Sequence, residues 1–114
     1  MEGCIFCKII SGDIPSTKVY EDDKVLAFKD INPAAPVHVL VVPKVHIESL
    51  KDINRENADV LMDIHLAVNK VAEKLGIHDK GYRLISNCGR DAGQTVPHLH
   101  YHIIGGVSLG PRIV

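Results

Sequence analysis

The segment His98-Leu99-His100-Tyr101-His102-Ile103-Ile104 alternates histidines with apolar residues. Alternate side chains of a β-strand leave from the same face, so a strand here places all three histidines on one side, with neighbours about 6.8 Å apart. A polar sheet face that merely happens to use histidine is the weaker interpretation, because imidazole is the usual choice for metal binding and for proton or nucleophile chemistry near neutral pH. The pattern therefore predicts a strand that carries a functional site.

Two kinds of chemistry fit three histidines on one face. In the first, two or three imidazoles bind a catalytic metal with an open coordination position. In the second, one neutral imidazole is a nucleophile, and its neighbours orient it or contact phosphate. The polar loop 87–95 precedes the strand, and its Gly89 and Gly93 allow backbone N–H groups to approach an anion such as phosphate closely. The loop favours attack on phosphorus without excluding a metal.

Hydrophobic spacing and turn residues predict two helices and five strands. A short helix extends from Cys4 to Ser11, and a long helix is capped by Asn54 and continues to Leu75. One apolar stripe of the long helix is expected to face the core, and it consists of Leu61, Ile64, Val68, Val71 and Leu75. The predicted strands cover residues 17–21, 25–30, 37–43, 82–86 and 97–104. We expect an α+β fold, with a mainly antiparallel five-stranded sheet, one long helix and one short helix.

Composition excludes several classes of protein. The chain has 114 residues, with 13 Lys and Arg against 14 Asp and Glu and a formal charge of −1, a balance that excludes a polybasic arm or an acidic tail. The longest apolar run, Val37 to Pro43, is far shorter than the ~18 residues of a membrane span. Glu2 stands where a signal peptide has its basic region. We expect one soluble, cytoplasmic domain over residues 1–114, with no membrane or nucleic-acid partner.

The three cysteines are an odd number for a disulfide framework. Cys4 and Cys7 have the C-x₂-C spacing, which places two thiols one helical turn apart and is found in zinc sites. A zinc finger does not fit, because no second ligand pair lies within the usual short span. A redox pair is an alternative, although the sequence around it lacks the usual βαβ context. Cys88 is interpreted as an ordinary reduced thiol.

The histidine segment resembles the signature of the histidine triad (HIT) family, in which three histidines alternate with apolar residues. The resemblance covers essentially the whole chain, since members of the family have segments like Phe28-Lys29-Asp30-Ile31-Asn32-Pro33, Pro36–Lys44 with His46, and Gly93-Gln94-Thr95. Asn87 and Gly105-Gly106 look like the Hint branch of the family (histidine triad nucleotide-binding proteins), although the Trp-containing C-terminal tail of that branch is absent here.

This resemblance implies a homodimeric nucleotidyl hydrolase or transferase. Its substrates would be nucleoside phosphoramidates or related purine nucleotide conjugates, attacked at the α-phosphate. His100 would be the nucleophile and would form a nucleotidyl-histidine intermediate, with its second ring nitrogen donating to a backbone carbonyl. The alternatives are a zinc-stabilised nucleotide-binding or scaffold protein with little turnover, and a dinucleoside polyphosphate hydrolase.

The resemblance also implies roles for surrounding residues. His102 and His38 would support catalysis, and the hydroxyl of Thr95 would deliver a proton to the leaving group. Asp30 would bind the ribose hydroxyls, and Asn87 would contact the leaving side. The full nucleotide-binding set implied in this way is Asp30, Ile31, Phe6, Ile9, Leu40, Asn87, Gly93, Thr95, His100 and His102.

A metal site is implied in the same way. Bacterial-type HIT proteins look similar in placing a cysteine pair near His46 and the first histidine of the triad, which implies a zinc site formed by Cys4, Cys7, His46 and His98. Four protein ligands leave no open coordination position, so this zinc would be structural. No organic cofactor is expected.

Overall fold

The computed structural model describes residues 3–114 and contains two α-helices and five β-strands. The helices are α1 (Ile5–Ser11) and α2 (Asp59–Lys74). The strands are β1 (Lys18–Glu21), β2 (Val25–Lys29), β3 (Val37–Pro43), β4 (Arg83–Ile85) and β5 (Tyr101–Gly105). Single 3₁₀ turns lie at Leu50–Asp52 and Arg90–Ala92.

The five strands form one sheet in the order β1-β2-β3-β5-β4, and every neighbouring pair is antiparallel. The predicted α+β class and the mainly antiparallel five-stranded sheet are confirmed. Strand β3 lies at the centre, as its density of β-branched residues indicates, and it pairs with β2 on one side and with β5 on the other.

Helix α1 forms where the sequence predicts it, and its first turn is built from a cysteine. The Sγ atom of Cys4 accepts a hydrogen bond from the backbone N–H of Cys7 at 3.4 Å, which satisfies one of the free N–H groups at the start of the helix. At the other end, the N–H of Gly12 donates to the carbonyl of Ile9.

Helix α2 begins later than predicted. Asn54 does not cap it, because its Oδ1 accepts hydrogen bonds from the N–H groups of Glu56 and Asn57 and so closes a separate turn. The helix starts at Asp59 and ends at Lys74, one residue before the predicted end. Its predicted stripe is correct in the middle, where Ile64, Val68 and Val71 are buried, whereas Leu61 and Leu75 at its ends are only partly buried.

The last strand is also shorter than predicted. Its ladder with β3 begins at Tyr101, not at residue 97. The N–H of Leu99 donates to the carbonyl of Ile47, and the carbonyl of His100 accepts from the hydroxyl of Ser86, so these groups are used outside the β3–β5 ladder. Side chains nevertheless alternate through the whole segment, since Leu99, Tyr101 and Ile103 pack on one face and the ring of His100 contacts Phe6 on the other.

The sheet separates two apolar clusters. On one face, Leu99, Tyr101 and Ile103 pack with the buried stripe of α2. On the opposite face, Phe6 and Ile9 of α1 pack with residues of β2 and β3 that include Leu26, Phe28, Leu40 and Val42. The three histidines lie on this second face, which places the functional side chains under α1. Among residues 3–114, none of the helices combines the length and the apolar character needed to cross a membrane.

Candidate active site and metal centre

The ring of His100 has a fixed orientation and a fixed tautomer. Its Nδ1 lies 2.7 Å from the main-chain carbonyl oxygen of His98, and since a carbonyl only accepts, the proton is on Nδ1. The lone pair is therefore on Nε2. The imidazole is buried, and the ring of Phe6 packs against it edge-on with 5.0 Å between ring centres. The expected hydrogen bond from His100 to a backbone carbonyl is present, and in the neutral imidazole it leaves the lone pair on Nε2.

A chain of hydrogen bonds with one direction leads to His102. The backbone N–H of Ala34 donates to Nδ1 of His38 at 2.9 Å, so the proton of neutral His38 is on Nε2. That Nε2 lies 2.9 Å from Nδ1 of His102 and donates to it, which places the proton of His102 on its own Nε2. The rings of His100 and His102 are 5.3 Å apart between centres. His102 thus holds an N–H donor beside the lone pair of His100.

The electrostatics of the pocket maintain this arrangement. Burial lowers the pKa of His102, the neighbouring His100 and His38 lower that pKa further, and Asp30 raises it. The neutral form is the one that accepts from His38 through Nδ1 while donating through Nε2. A protonated His102 would place two N–H groups face to face.

A second group of possible metal ligands consists of Asp30, His38 and His102. The hydrogen bond from the N–H of Ala34 to His38 disfavours metal binding there. A metal on Nε2 of His38 requires a proton on Nδ1, and that proton would meet the N–H of Ala34. The three histidines of the segment do not converge on one ion either, because both ring nitrogens of His98 point elsewhere. The structure thus does not support the alternative in which His98, His100 and His102 together bind a catalytic metal.

A group of four side chains that could bind a metal ion lies beside His100. The ligand atoms of Cys4, Cys7, His46 and His98 all lie within 4.8 Å of one another. Nδ1 of His98 is 3.4 Å from Sγ of Cys4, 3.5 Å from Sγ of Cys7 and 3.1 Å from Nδ1 of His46, which in turn is 3.3 Å from Sγ of Cys7. Tetrahedral zinc separates such sulfur and nitrogen ligands by roughly 3.3–3.8 Å. The four residues fit zinc in both chemistry and spacing.

The surroundings of His98 support the same conclusion. Its Nε2 lies 2.9 Å from the carbonyl oxygen of Pro43 and donates to it, so the lone pair of Nδ1 faces the other three ligands. Burial raises the pKa of the Cys7 thiol, with Cys4 contributing, and burial lowers the pKa of His98. The neutral groups are favoured in this pocket, and a bound cation would supply the charge that displaces a thiol proton.

The predicted base-binding residues fall into two groups. Phe6, Ile9 and Leu40 belong to one buried cluster next to His100. Ile31 is 92 % exposed and packs in neither cluster. Asp30 is half-buried, where its Oδ1 accepts from the N–H of Asn32 at 2.8 Å and its Oδ2 lies 3.3 Å from Nε2 of His38.

The loop before the triad is held by a residue to which sequence reasoning assigned no role. The side chain of Gln94 accepts from the N–H of Gly89 through Oε1 and donates through Nε2 to the carbonyls of Glu48 and Val96. Thr95 is exposed and Asn87 is half-buried, so both are accessible from solvent. The position of Gln94 between two predicted binding residues was the only sequence signal for its function.

Ser86 was also missed, and nothing in the sequence pointed to it. Its hydroxyl donates to the carbonyl of His100 at 2.8 Å. Cys88, expected to be an ordinary thiol, has a lowered pKa because Ser49 and the backbone of Lys51 hydrogen-bond to it.

A five-stranded antiparallel sheet that presents three alternate histidines beside a glycine loop defines a histidine triad protein. The comparisons agree. The family model of the HIT domain matches residues 11–109. The chain is 46% identical over 112 residues to the purine nucleoside phosphoramidase of Escherichia coli (strain K12). The aligned region covers 98% of this chain and 94% of that relative.

Solved structures match over the same length. A HIT family hydrolase from Clostridium thermocellum superposes with a TM-score of 0.98 at 65% identity, covering 100% of this chain and 99% of that one. A histidine triad protein from Clostridium difficile superposes with a TM-score of 0.95 at 55% identity, covering 98% and 97% of the two chains. The chain belongs to the HIT family and is a hydrolase of that family.

Proposed function

We propose that the protein hydrolyses purine nucleoside phosphoramidates or related nucleotide conjugates through a covalent intermediate on His100. The observation that carries this proposal is the bond from Nδ1 of His100 to the carbonyl of His98, which leaves Nε2 unprotonated and directed away from the backbone. The relative from Escherichia coli that is named a purine nucleoside phosphoramidase supports the choice of substrate class.

The reaction has two displacements at phosphorus. Nε2 of His100 attacks the α-phosphorus, a P–N bond to imidazole forms, and the P–N bond to the leaving amine breaks. The amine takes a proton, for which the hydroxyl of Thr95 is the proposed source. Water then attacks the nucleotidyl-imidazole and returns a proton to the oxygen of Thr95, the new P–N bond breaks, and a nucleoside monophosphate is released while Nε2 regains its lone pair. The Nε2–H of His102 donates to a nonbridging oxygen in both steps and stabilises the developing charge.

The nucleotide would lie across the face of the sheet that α1 covers. Asp30 would accept hydrogen bonds from the ribose hydroxyls, and Phe6, Ile9 and Leu40 would contact the base, with the exposed Ile31 closing the outer side. The backbone around Gly93 and the amide of Asn87 would contact the phosphate and the leaving side. The apolar character of the first three residues and their proximity to His100 support this placement.

Turnover of an AMP–amine conjugate tests the proposal. We expect His100→Ala to lose activity by at least about 1,000-fold, since the intermediate cannot form without the imidazole. A quenched reaction of the wild type should contain an AMP adduct on His100, located by mass spectrometry of peptides. Equal rates for the wild type and His100→Ala would overturn the mechanism. Tight AMP binding without turnover would favour the nucleotide-binding alternative, and faster cleavage of dinucleoside polyphosphates would change the substrate class.

We also propose one structural zinc ion per chain, held by Cys4, Cys7, His46 and His98. The donor set of two thiols and two imidazoles, at separations close to those of tetrahedral zinc, supports it. Elemental analysis should find about one zinc per chain in the wild type and little in Cys4→Ser/Cys7→Ser, with Cys88→Ser as the matched control. Unchanged zinc in the double variant would remove the site.

For the assembly we propose a homodimer. Within residues 3–114, β4 pairs only with β5, so its outer edge is open, and two large apolar side chains of α2, Met62 and Leu66, are more than half exposed. Light scattering on the purified protein tests this, and a monomer at micromolar concentration would contradict it. We further propose a cytoplasmic location, because a reducing compartment keeps the metal-binding thiols free.

A further inference from the structure

His98 belongs to two sites at once. Its side chain is one of the four ligands of the metal group, and its main-chain carbonyl holds the ring of His100. We propose that His98 is a positioning residue through which the metal controls the orientation of the His100 nucleophile. This inference rests on the proposed function, and it assigns the metal group an effect on turnover in addition to its effect on stability.

Every polar atom of His98 is engaged. Nδ1 faces the three other ligands, Nε2 donates to the carbonyl of Pro43, and the backbone N–H donates to the carbonyl of Val96 at 2.8 Å. The remaining atom is the carbonyl oxygen, which accepts from Nδ1 of His100 at 2.7 Å. Rotation about the side-chain bonds leaves this carbonyl in place, but a displacement of the His98 ring that shifts its Cα also shifts the peptide group that orients His100.

A cation between the four side chains would hold this geometry. The Nδ1 atoms of His46 and His98 lie 3.1 Å apart, and two lone pairs at that distance repel each other unless a cation or a proton lies between them. A zinc ion replaces that repulsion by two coordination bonds. Without the ion, and without a proton between the two Nδ1 atoms, the rings of His46 and His98 would move apart. His98 is the member of this pair whose carbonyl contacts His100.

A second connection passes through helix α1. Cys4 and Cys7 stand on either side of Phe6, whose ring centre lies 6.0 Å from that of His98 and 5.0 Å from that of His100. The helix has only seven residues, a length at which intrinsic helix stability is small. Release of the two cysteines therefore loosens the aromatic ring that packs against the nucleophile.

Asp30, which would bind the ribose hydroxyls, and its neighbour His38 do not depend on these connections. Asp30 and His38 lie at the far ends of β2 and β3 and are held by Asn32 and Ala34, with no contact to the metal ligands. Since Phe6 and Ile9 of the loosened helix α1 would also contact the base, we expect loss of the metal to lower kcat by a larger factor than it weakens AMP binding.

The test compares zinc-loaded full-length wild type with His46→Ala, which removes one ligand and leaves His98 intact. ¹⁵N-histidine NMR reports the tautomer of His100, which we expect to be Nδ1–H in the wild type and a mixture in His46→Ala. We expect kcat to fall about 10- to 100-fold in this variant, the size of effect produced by small misplacements of a reacting group. The Kd for AMP should rise by a smaller factor than kcat falls, since the contact of Asp30 with the sugar is retained and the lost orientation of His100 concerns the transition state.

Two further variants separate positioning from stability. His46→Cys replaces one zinc ligand by another and should restore zinc, the His100 tautomer and kcat together. Val60→Ala removes two methyl groups from the core under α2, on the other face of the sheet. This variant should have a lower melting temperature and an unchanged kcat.

Three results would overturn the proposal. The first is an unchanged His100 tautomer in folded, zinc-free His46→Ala, and the second is an unchanged kcat in that protein. The third is an equal loss of kcat in Val60→Ala. If the wild type does not turn over AMP conjugates at all, the proposed function fails, and the NMR comparison still decides whether the metal orients His100.

Discussion

The imidazole of His38 lies 2.9 Å from that of His102, and the hydrogen bond between them runs in one direction, from His38 to His102. The backbone N–H of Ala34 sets this direction, because it occupies the other ring nitrogen of His38. A main-chain amide cannot change its role from donor to acceptor. A single peptide group in the loop between β2 and β3 therefore determines which nitrogen of neutral His102 carries the proton.

Two substitutions of His38 should differ in effect. The amide of Gln reaches about as far as Nε2 of histidine, so His38→Gln keeps a donor for His102, whereas the shorter side chain of His38→Asn accepts from Ala34 and leaves His102 without its partner. We expect kcat for an AMP–amine conjugate to fall by about tenfold or more in His38→Asn and by less in His38→Gln. Equal rates for the two variants would show that the direction of this bond is unimportant.

The stability of the protein should depend on pH through His102. Burial lowers its pKa in the folded state below the ordinary value of 6.5. Between these two pKa values the unfolded chain binds a proton that the folded chain does not, so the free energy of unfolding decreases as the pH falls through this interval. Urea denaturation between about pH 7 and pH 5 should show a larger loss in the wild type than in His102→Asn, which lacks the titrating group. Parallel curves for the two proteins would contradict this.

Two glycines with the same backbone conformation should respond differently to alanine. Gly93 and Gly106 have φ values of 83° and 82°. A Cβ on Gly93 would meet nothing within 4 Å, whereas one on Gly106 would lie 3.2 Å from side-chain carbons of Pro36 and Val37. Gly93→Ala should cost about 1–2 kcal/mol from the left-handed conformation alone. Gly106→Ala should cost a further ~1–3 kcal/mol from overpacking, and equal values in urea denaturation would contradict this account.

Ser86 should contribute to stability through one hydrogen bond. Its hydroxyl donates to the half-buried carbonyl of His100, so Ser86→Ala leaves that oxygen without its donor. We expect a loss of about 1–3 kcal/mol in the free energy of unfolding. Ser86→Thr keeps a hydroxyl and should lose less, and thermal denaturation of both variants would show whether the bond matters.

The face on which each functional side chain lies could be predicted from the sequence, because a period of two needs only local information. Alternation placed the three histidines together, and the structure agrees, with Leu99, Tyr101 and Ile103 packed under α2. The order of predicted strands and helices was correct as well. The Hint branch and the single-domain organisation of residues 1–114 stay predictions.

The ends of elements and the partners of the functional residues could not be predicted. Asn54 carries the signal of a helix cap, yet its side chain closes a local turn, and nothing in the sequence ranks these two uses. The tautomers of His38, His98 and His100 depend on a backbone amide and two backbone carbonyls, and any residue can supply such groups. The metal group joins residues 94 positions apart, so it followed from the family resemblance and not from local spacing.

The sheet separates most of the stabilising core from the chemistry, and this has a practical consequence for engineering. Side chains under α2 can be exchanged for larger or better-packed ones to raise thermal tolerance, because β3 and β5 shield the opposite face from the change. The proposed base-contacting residues Phe6, Ile9 and Leu40 lie on that opposite face, so we expect their substitution to alter substrate scope independently of changes under α2. The exception is His98, which we propose to contribute to both stability and catalysis. A library of variants should therefore leave His98 and the other three proposed zinc ligands, Cys4, Cys7 and His46, unchanged.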